Sequence, residues 1–288
     1  MKEEKEIVLI TGANSFIARH LHPILEENYV VKFLTRSPTQ ENEYRWDIAR
    51  DLLDENALDD VQYIVHLSGS KFNDGTPFTE ERMNTVYQSR IGAANLLRKK
   101  LKERGQKLKS FISASAIGYY AFNDNLLEID ERGNKGTGFG ADLSEDWEKA
   151  ADLFKSEDVA EHVAKIRVPI VMGNDGGIFP VFKDKIAAKP DRADQEVLSS
   201  YPWNHVDDMA GIFAHALTHQ LHGVYNAVAP EPITLQDVFK AIANQLAGTD
   251  YKIEPFEGQR LIAKKIMDSG YSFKYPTIQS AVQDLIPG

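Results

Sequence analysis

The sequence contains no cysteine. That absence excludes disulfides, thiolate metal sites and a cysteine nucleophile, and it fits a reducing compartment. No apolar run reaches transmembrane length. The opening MKEEKEIVLITG is charged and then strand-like, without signal-peptide architecture. A cytoplasmic setting is the expectation. Positive charge is also in deficit, because 33 Lys and Arg against 43 Asp and Glu leave a formal charge of −10. Such a surface argues against unspecific binding of nucleic acid or an anionic membrane, so any anionic ligand must be held by a local site. What remains is an ordinary globular balance of 42% hydrophobic and 26% charged residues over 288 positions. That length suffices for one large α/β domain or two closely joined ones.

Short β-branched runs alternate with longer helical patterns. Residues Ile7 to Thr11, Tyr29 to Thr35, Val61 to Leu67, Ser110 to Ser115 and Ala164 to Val171 read as buried strands. Helical patterns cover Phe16 to Glu27, a long stretch from about Thr79 to Arg104, and Leu143 to Lys155. The order predicts an α/β fold with a doubly wound parallel sheet. Near residue 176 the stretch GGIFPVFKDKIAAKPDRADQ, with its Gly, Pro and charges, reads as an irregular excursion. Beyond it lie a helix from Asp207 to His219, a strand at Gly223 to Val228 and a helix beginning near Thr234. The expected division is a nucleotide-binding domain over 1–175, with strand contributions from about 205–228, and a smaller C-terminal substrate lobe over 176–288.

The segment VLITGANSFIARHL lacks two of the glycines of a dinucleotide-binding turn. Gly12 ends the first strand and makes the tight turn, but Ser15 and Ala18 stand where the next two glycines would. Ala18 is mild, since that glycine serves close helix-to-strand packing. Ser15 matters more, because a Cβ there opposes backbone approach to a pyrophosphate. Its hydroxyl either donates to a phosphate oxygen or caps the helix without a ligand. The amides at the helix start, Phe16 and Ile17 among them, aim at an anion by geometry alone.

The second strand ends in Thr35 and Arg36 rather than the acidic residue that would bind a ribose 2′-hydroxyl. A guanidinium beside a hydroxyl suits the 2′-phosphate of NADP. The alternative is a solvated loop charge.

Over nearly its whole length the chain resembles the extended short-chain dehydrogenases/reductases, and within them the atypical NAD(P)-dependent epimerase family proteins. The segments that carry the resemblance are TGANSFIARHL, FLTRSP, IVHLSGS, FTEERMNTVYQSRI, FISASAIGYY, RVPIVMGNDGG, PWNHVDDM, GVYNAVAPEP and GYSFKYPTIQSAVQDL. The resemblance implies a Rossmann-type domain, NADP(H) as cofactor, and a C-terminal lobe for a small-molecule substrate. It places Leu67 and Ser68 along the adenosine and ribose, and Pro169 beside the nicotinamide. It puts Arg90 toward a phosphate or ribose, against the alternative of a helix-surface salt bridge. Trp203 and His205 fall in the segment that closes over the substrate, although a core tryptophan and a histidine serving its own backbone are equally open readings.

The same resemblance exposes a departure. Ser115 occupies the family's substrate-positioning serine, but Phe139 and Leu143 stand where a Tyr-x-x-x-Lys pair would move the proton. Tyr119 is the nearest substitute, followed by Tyr120, with ring packing as the alternative for both. Two functions from different classes follow: an oxidoreductase or nucleotide-sugar-epimerase-like enzyme, or a catalytically silent NADP(H)-binding regulatory or redox-sensing protein. No metal is expected, since His215, His219 and His222 share a helical spacing without an accompanying carboxylate base.

Overall fold

The computed structural model describes residues 5–72, 75–122, 127–194, 199–254 and 256–287. Its first strand, β1 (Ile7–Thr11), is a run with Val8, Leu9 and Ile10 fully buried. Such two-faced burial is worth about 1.5–3 kcal/mol per large aliphatic side chain, and a continuous apolar run is what a central parallel strand requires. Then follow α1 (Phe16–Glu26), β2 (Val30–Thr35), β3 (Glu43–Asp47), β4 (Leu52–Leu53) and β5 (Val61–His66). The long expected helix is α2 (Glu80–Tyr87), a π-helical turn over Gln88–Gly92, and α3 (Ala93–Glu103). Next come β6 (Leu108–Ala116), β7 (Glu128–Ile129), α4 (Phe139–Ser156), β8 (Ala160–Val168), β9 (Ile170–Gly173) and β10 (Gly176–Gly177). The remainder is α5 (Phe179–Ala188), β11 (Trp203–His205), α6 (Val206–Thr218), β12 (Gly223–Asn226), α7 (Leu235–Ala247), β13 (Arg260–Leu261), α8 (Lys264–Asp268) and α9 (Ile278–Leu285).

The main sheet has the order β12-β8-β6-β5-β1-β2-β3-β4. Strand β1 pairs in parallel with β2 and β5, β2 with β3, and β5 with β6, while β4 returns antiparallel to β3. This is the doubly wound, Rossmann-type sheet that the alternating pattern predicts. The chain moves outward from β1 through β2 and β3, then crosses to β5 on the other side of β1. That reversal opens a crevice beyond the carboxyl ends of β1 and β5.

Among the elements that escape the sequence reading, the two longest before residue 200 are a strand and a helix. Strand β3 carries Glu43 and Arg45 and buries only Trp46 among its side chains, so its polar composition hides a strand that lies between β2 and the short edge strand β4. The excursion after residue 176 contains the ten-residue helix α5, in which Pro180 sits in the first turn, where its missing N–H costs nothing. Phe179, Phe182 and Ile186 bury its inner face.

The chain separates into two compact units, one formed by residues 1–119, 137–166 and 213–224, the other by 120–136, 167–212 and 225–288. The units interleave along the chain, whereas the sequence reading draws its main division near residue 175. The second unit has its own core, in which Met172, Phe179, Trp203, Ile242, Ile278 and Val282 meet. Capping boxes at Thr234–Asp237 and Thr277–Ser280 start α7 and α9. Among the described residues no helix is long and apolar enough to cross a membrane. None of their His, Asp and Glu side chains form a group of three placed to hold a metal ion.

Candidate cofactor crevice and active site

The first unit brings most of the sequence-predicted cofactor residues to the crevice. Gly12 has φ +77°, and a Cβ there would lie 3.2 Å from both Leu67 O and Ser68 Cα. The ends of β1 and β5 approach so closely that only glycine fits. Ser15 caps α1: its Oγ accepts from the Ala18 amide at 3.2 Å. This is the capping alternative, yet the hydroxyl proton stays available for an acceptor. The Phe16 and Ile17 amides belong to the first turn, which has no intrahelical acceptors to offer. At the end of β2, Thr35 is buried and accepts from the Ser37 amide at 3.4 Å. Arg36 beside it is exposed and has no ion pair among the described residues.

A buried hub behind the crevice is absent from the sequence reading. Thr11 and His66 are both fully buried. Thr11 Oγ1 accepts from the amides of Leu67 and Ser68, each at 3.0 Å, and lies 3.0 Å from His66 Nδ1. A hydroxyl with both lone pairs engaged has only its proton left, so Thr11 donates to Nδ1. His66 is then the neutral Nε2–H tautomer and donates to Arg90 O at 3.0 Å. Burial pushes the His66 pKa from 6.5 down to about 4. In the unfolded chain the ring titrates at its ordinary value, so between those limits the unfolded state takes up a proton the native state refuses. Stability present above pH 6.5 is therefore lost as the pH falls toward about 4, by up to about 1.4 kcal/mol per pH unit. Denaturant midpoints across that window are expected to fall more steeply for the wild type than for His66→Gln. Equal slopes would remove the neutral buried histidine.

Arg90 lies on the π-helical turn, a local widening that re-aims side chains. One guanidinium nitrogen donates to Ser70 O at 3.0 Å and Val86 O at 3.1 Å, and its carbon stands 5.1 Å over the Trp147 ring. Burial, helped by the like charge of Arg82, lowers its pKa to about 10, so it remains cationic at neutral pH. The helix-surface salt bridge is thus replaced by a partly buried cation that shapes the loop after β5. Ser68 is fixed by its own hydroxyl, which donates to Ser89 O at 2.7 Å.

Ser115, at the end of β6, is 1% exposed, and its Oγ donates to Glu148 Oε1 of α4 at 2.7 Å. The helix α4 contains no tyrosine; Leu143 is buried in the core and Phe139 opens the first turn. Tyr119 is half-buried in the turn after Ser115.

A family profile described as "NAD dependent epimerase/dehydratase family" matches residues 8–134, which span β1, the crevice and Ser115. Residues 8–134 of the chain are therefore similar to this family. A second profile, a domain of unknown function (DUF1731), matches residues 254–285. Among curated relatives, the chain is 26% identical to the chloroplastic Epimerase family protein SDR39U1 homolog of Arabidopsis thaliana, over 99% of this chain and 88% of that one. It is 27% identical to Epimerase family protein ML0860 of Mycobacterium leprae, over 96% and 95%. Among solved structures, human epimerase family protein SDR39U1 with NADPH superposes with a TM-score of 0.77 at 26% identity, covering 97% of this chain and 99% of that one.

The second unit holds the other expected residues. Tyr120 donates to Asn226 Oδ1 at 2.6 Å under the Arg167 guanidinium, and burial raises its pKa to about 12; its proton is not available near neutral pH. Pro169 is buried between β8 and β9. Trp203 is 1% exposed in the core of that unit. His205 is equally enclosed. Its Nδ1 accepts from the Asp207 amide at 3.1 Å, its ring lies 4.0 Å from that of Tyr275, and its Nε2 is 3.3 Å from Asp284 Oδ2. Burial lowers its pKa against the pull of three aspartates, so this is the backbone-network arrangement. Glu148, Thr11 and His66 are the residues sequence reasoning missed. For the first, the available signal was a carboxylate at helical spacing from the small residues Ala141, Ser144 and Ala151, and no local pattern marks the hub.

Proposed function

We propose that the chain binds NADP(H) and acts as an oxidoreductase or nucleotide-sugar-epimerase-like enzyme of the extended short-chain dehydrogenase/reductase type on a small-molecule substrate. The observation that carries the reading is Arg36, an exposed cation without an ion-pair partner among the described residues, beside buried Thr35 at the end of β2. The close approach at Gly12, the α1 N-terminus and the human relative's NADPH support it. NADPH would supply a hydride to the substrate. In this reading Gly12, Ser15, Phe16 and Ile17 hold the pyrophosphate, Thr35 and Arg36 the 2′-phosphate, Leu67 and Ser68 the ribose and adenosine, and Arg90 fixes the loop after β5. Pro169 faces the nicotinamide, and Trp203 and His205 support the substrate segment. Ser115 and Tyr119 orient the reacting carbonyl. A cytoplasmic setting goes with the cysteine-free composition.

A second reading, the silent NADP(H)-binding regulator, draws on the proton of Ser115 being spent on Glu148 and on the lack of a tyrosine in α4. Calorimetric titration with NADPH, followed by a carbonyl screen, decides between them. The enzyme reading expects tight NADPH binding and slow turnover, because general acid catalysis worth roughly 10²–10⁴-fold is missing. Ser115→Ala is expected to lower carbonyl reduction more than about tenfold with NADPH affinity nearly unchanged, the lower end of what a positioned catalytic group contributes. Binding without any turnover would leave the regulator; no NADPH binding would overturn both.

A further inference from the structure

Beside the glycine turn lies a cavity of about 240 Å³, bounded by that turn, by α1 and by the segment that joins β2 to β3. Ala13, Ala18 and Phe33 form its apolar part, and Arg19, Gln40 and Glu43 belong to its polar lining. The backbone fixes its place: the Gly12 amide donates to Leu34 O at 3.2 Å, which ties the turn to the end of β2 just before Thr35 and Arg36. The volume is below the roughly 300–1,000 Å³ of a pocket for a whole small molecule. A single phosphate group, which displaces only a few waters of about 30 Å³ each, fits it. Arg19 leans back toward the turn, where its Nη1 donates to Asn14 O at 3.5 Å and its guanidinium carbon stands 5.9 Å from the Phe16 ring centroid. The first turn of α1 holds no acidic residue, and a cation this near the positive end of a helix dipole is disfavoured until an anion arrives. The carboxylate in the lining, Glu43, is turned to its own loop: Oε2 accepts from the Thr39 amide at 2.6 Å, the Thr39 hydroxyl at 3.1 Å and the Gln40 amide at 3.3 Å. Those three donors offset its charge.

We propose that this cavity receives the 2′-phosphate of NADP(H) and that Arg19 is the second cation that determines cofactor choice, an inference that rests on the NADP(H) reading above. A phosphate presents three acceptor oxygens, more than one guanidinium fork engages at once. Arg36 meets it from the end of β2 and Arg19 from α1. The two act as one clamp, in which Arg36 draws the phosphate in and Arg19 grips it only once it is there. NADH carries a hydroxyl at the same position and leaves the cavity to water.

The test measures binding of 2′,5′-ADP and of 5′-AMP to the full chain by calorimetry, since these probes differ only in the 2′-phosphate. Arg19→Ala is expected to cut the preference for 2′,5′-ADP about fivefold, the scale of an exposed charge pair, and Arg19→Lys, which keeps the charge without the fork, to restore part of it. Gln40→Glu, which adds a carboxylate to the lining, is expected to weaken 2′,5′-ADP by a similar factor. In an Arg36→Ala background Arg19→Ala is expected to change nothing further, the non-additive result of two residues sharing one ligand group. Affinity for 5′-AMP and NADH stays at the wild-type value in all of them, which separates loss of the contact from misfolding. Wild-type discrimination in both Arg19→Ala and Gln40→Glu would overturn the proposal, as would equal losses for the two probes, the mark of a general effect on the turn. A wild-type chain that binds the two probes equally would remove the whole 2′-phosphate assignment, Arg36 included.

Discussion

Thr11→Val is expected to destabilise the first unit by about 2–6 kcal/mol, because it orphans two buried amides at roughly 1–3 kcal/mol each. Valine matches threonine in shape, so no cavity opens and the loss isolates the hydroxyl. The amides are those of Leu67 and Ser68, which turn toward Thr11 Oγ1 from the end of β5, with His66 Nδ1 as the third partner. No water reaches this group, since Thr11 and His66 are both fully buried. Thr11→Ser keeps the hydroxyl and is expected to keep most of the stability. Denaturant unfolding of both variants measures the difference. If valine costs no more than serine, the hub does not hold the two strand ends together. The variant also reaches function, because β1 and β5 meet at Gly12 with no room for slack. A loosened hub should weaken NADPH binding even at temperatures where the fold persists.

Arg36→Ala is expected to abolish a preference for NADPH over NADH of roughly ten- to hundredfold, the equivalent of about 1.5–3 kcal/mol for a charge-assisted contact to phosphate. The two cofactors differ only at the 2′-position, so the ratio cancels every other contact. Arg36 has no competing ion pair among the described residues and must break none to reach a ligand. NADH affinity should change little on substitution. Equal affinities for the two cofactors in the wild type, measured by calorimetry, would remove the 2′-phosphate assignment.

The order of elements and the cofactor turn were legible in the sequence for a plain reason. A parallel strand buried on both faces must be a largely apolar run; β1 is one throughout, and β2 and β5 are such runs broken by Lys32 and by Gln62, all three matched within a residue or so at their ends. Gly12 could be read because a left-handed turn against a neighbouring strand tolerates no side chain. Strand β3 and helix α5 were not legible, the first because its outer residues are polar, the second because Gly and Pro at a helix start resemble a break.

What the sequence by itself determined, then, is the alternation of strands and helices, the position of the glycine turn, and the presence of Arg36 at a strand end. These follow from local periodicity and single-residue constraints. Only the tertiary structure decided the partners of Ser115, Thr11, His66 and Arg90. Thr11 and His66 are 55 residues apart, and Ser115 and Glu148 are 33 apart. Their pairing depends on strand order, register and the π-turn that aims Arg90. Hydrogen bonds of this kind leave no periodic trace, because each donor needs one acceptor in space and none in sequence. The same holds for Phe72, Phe78 and Phe139, which are brought together by folding from the segment between β5 and α2 and from a helix end.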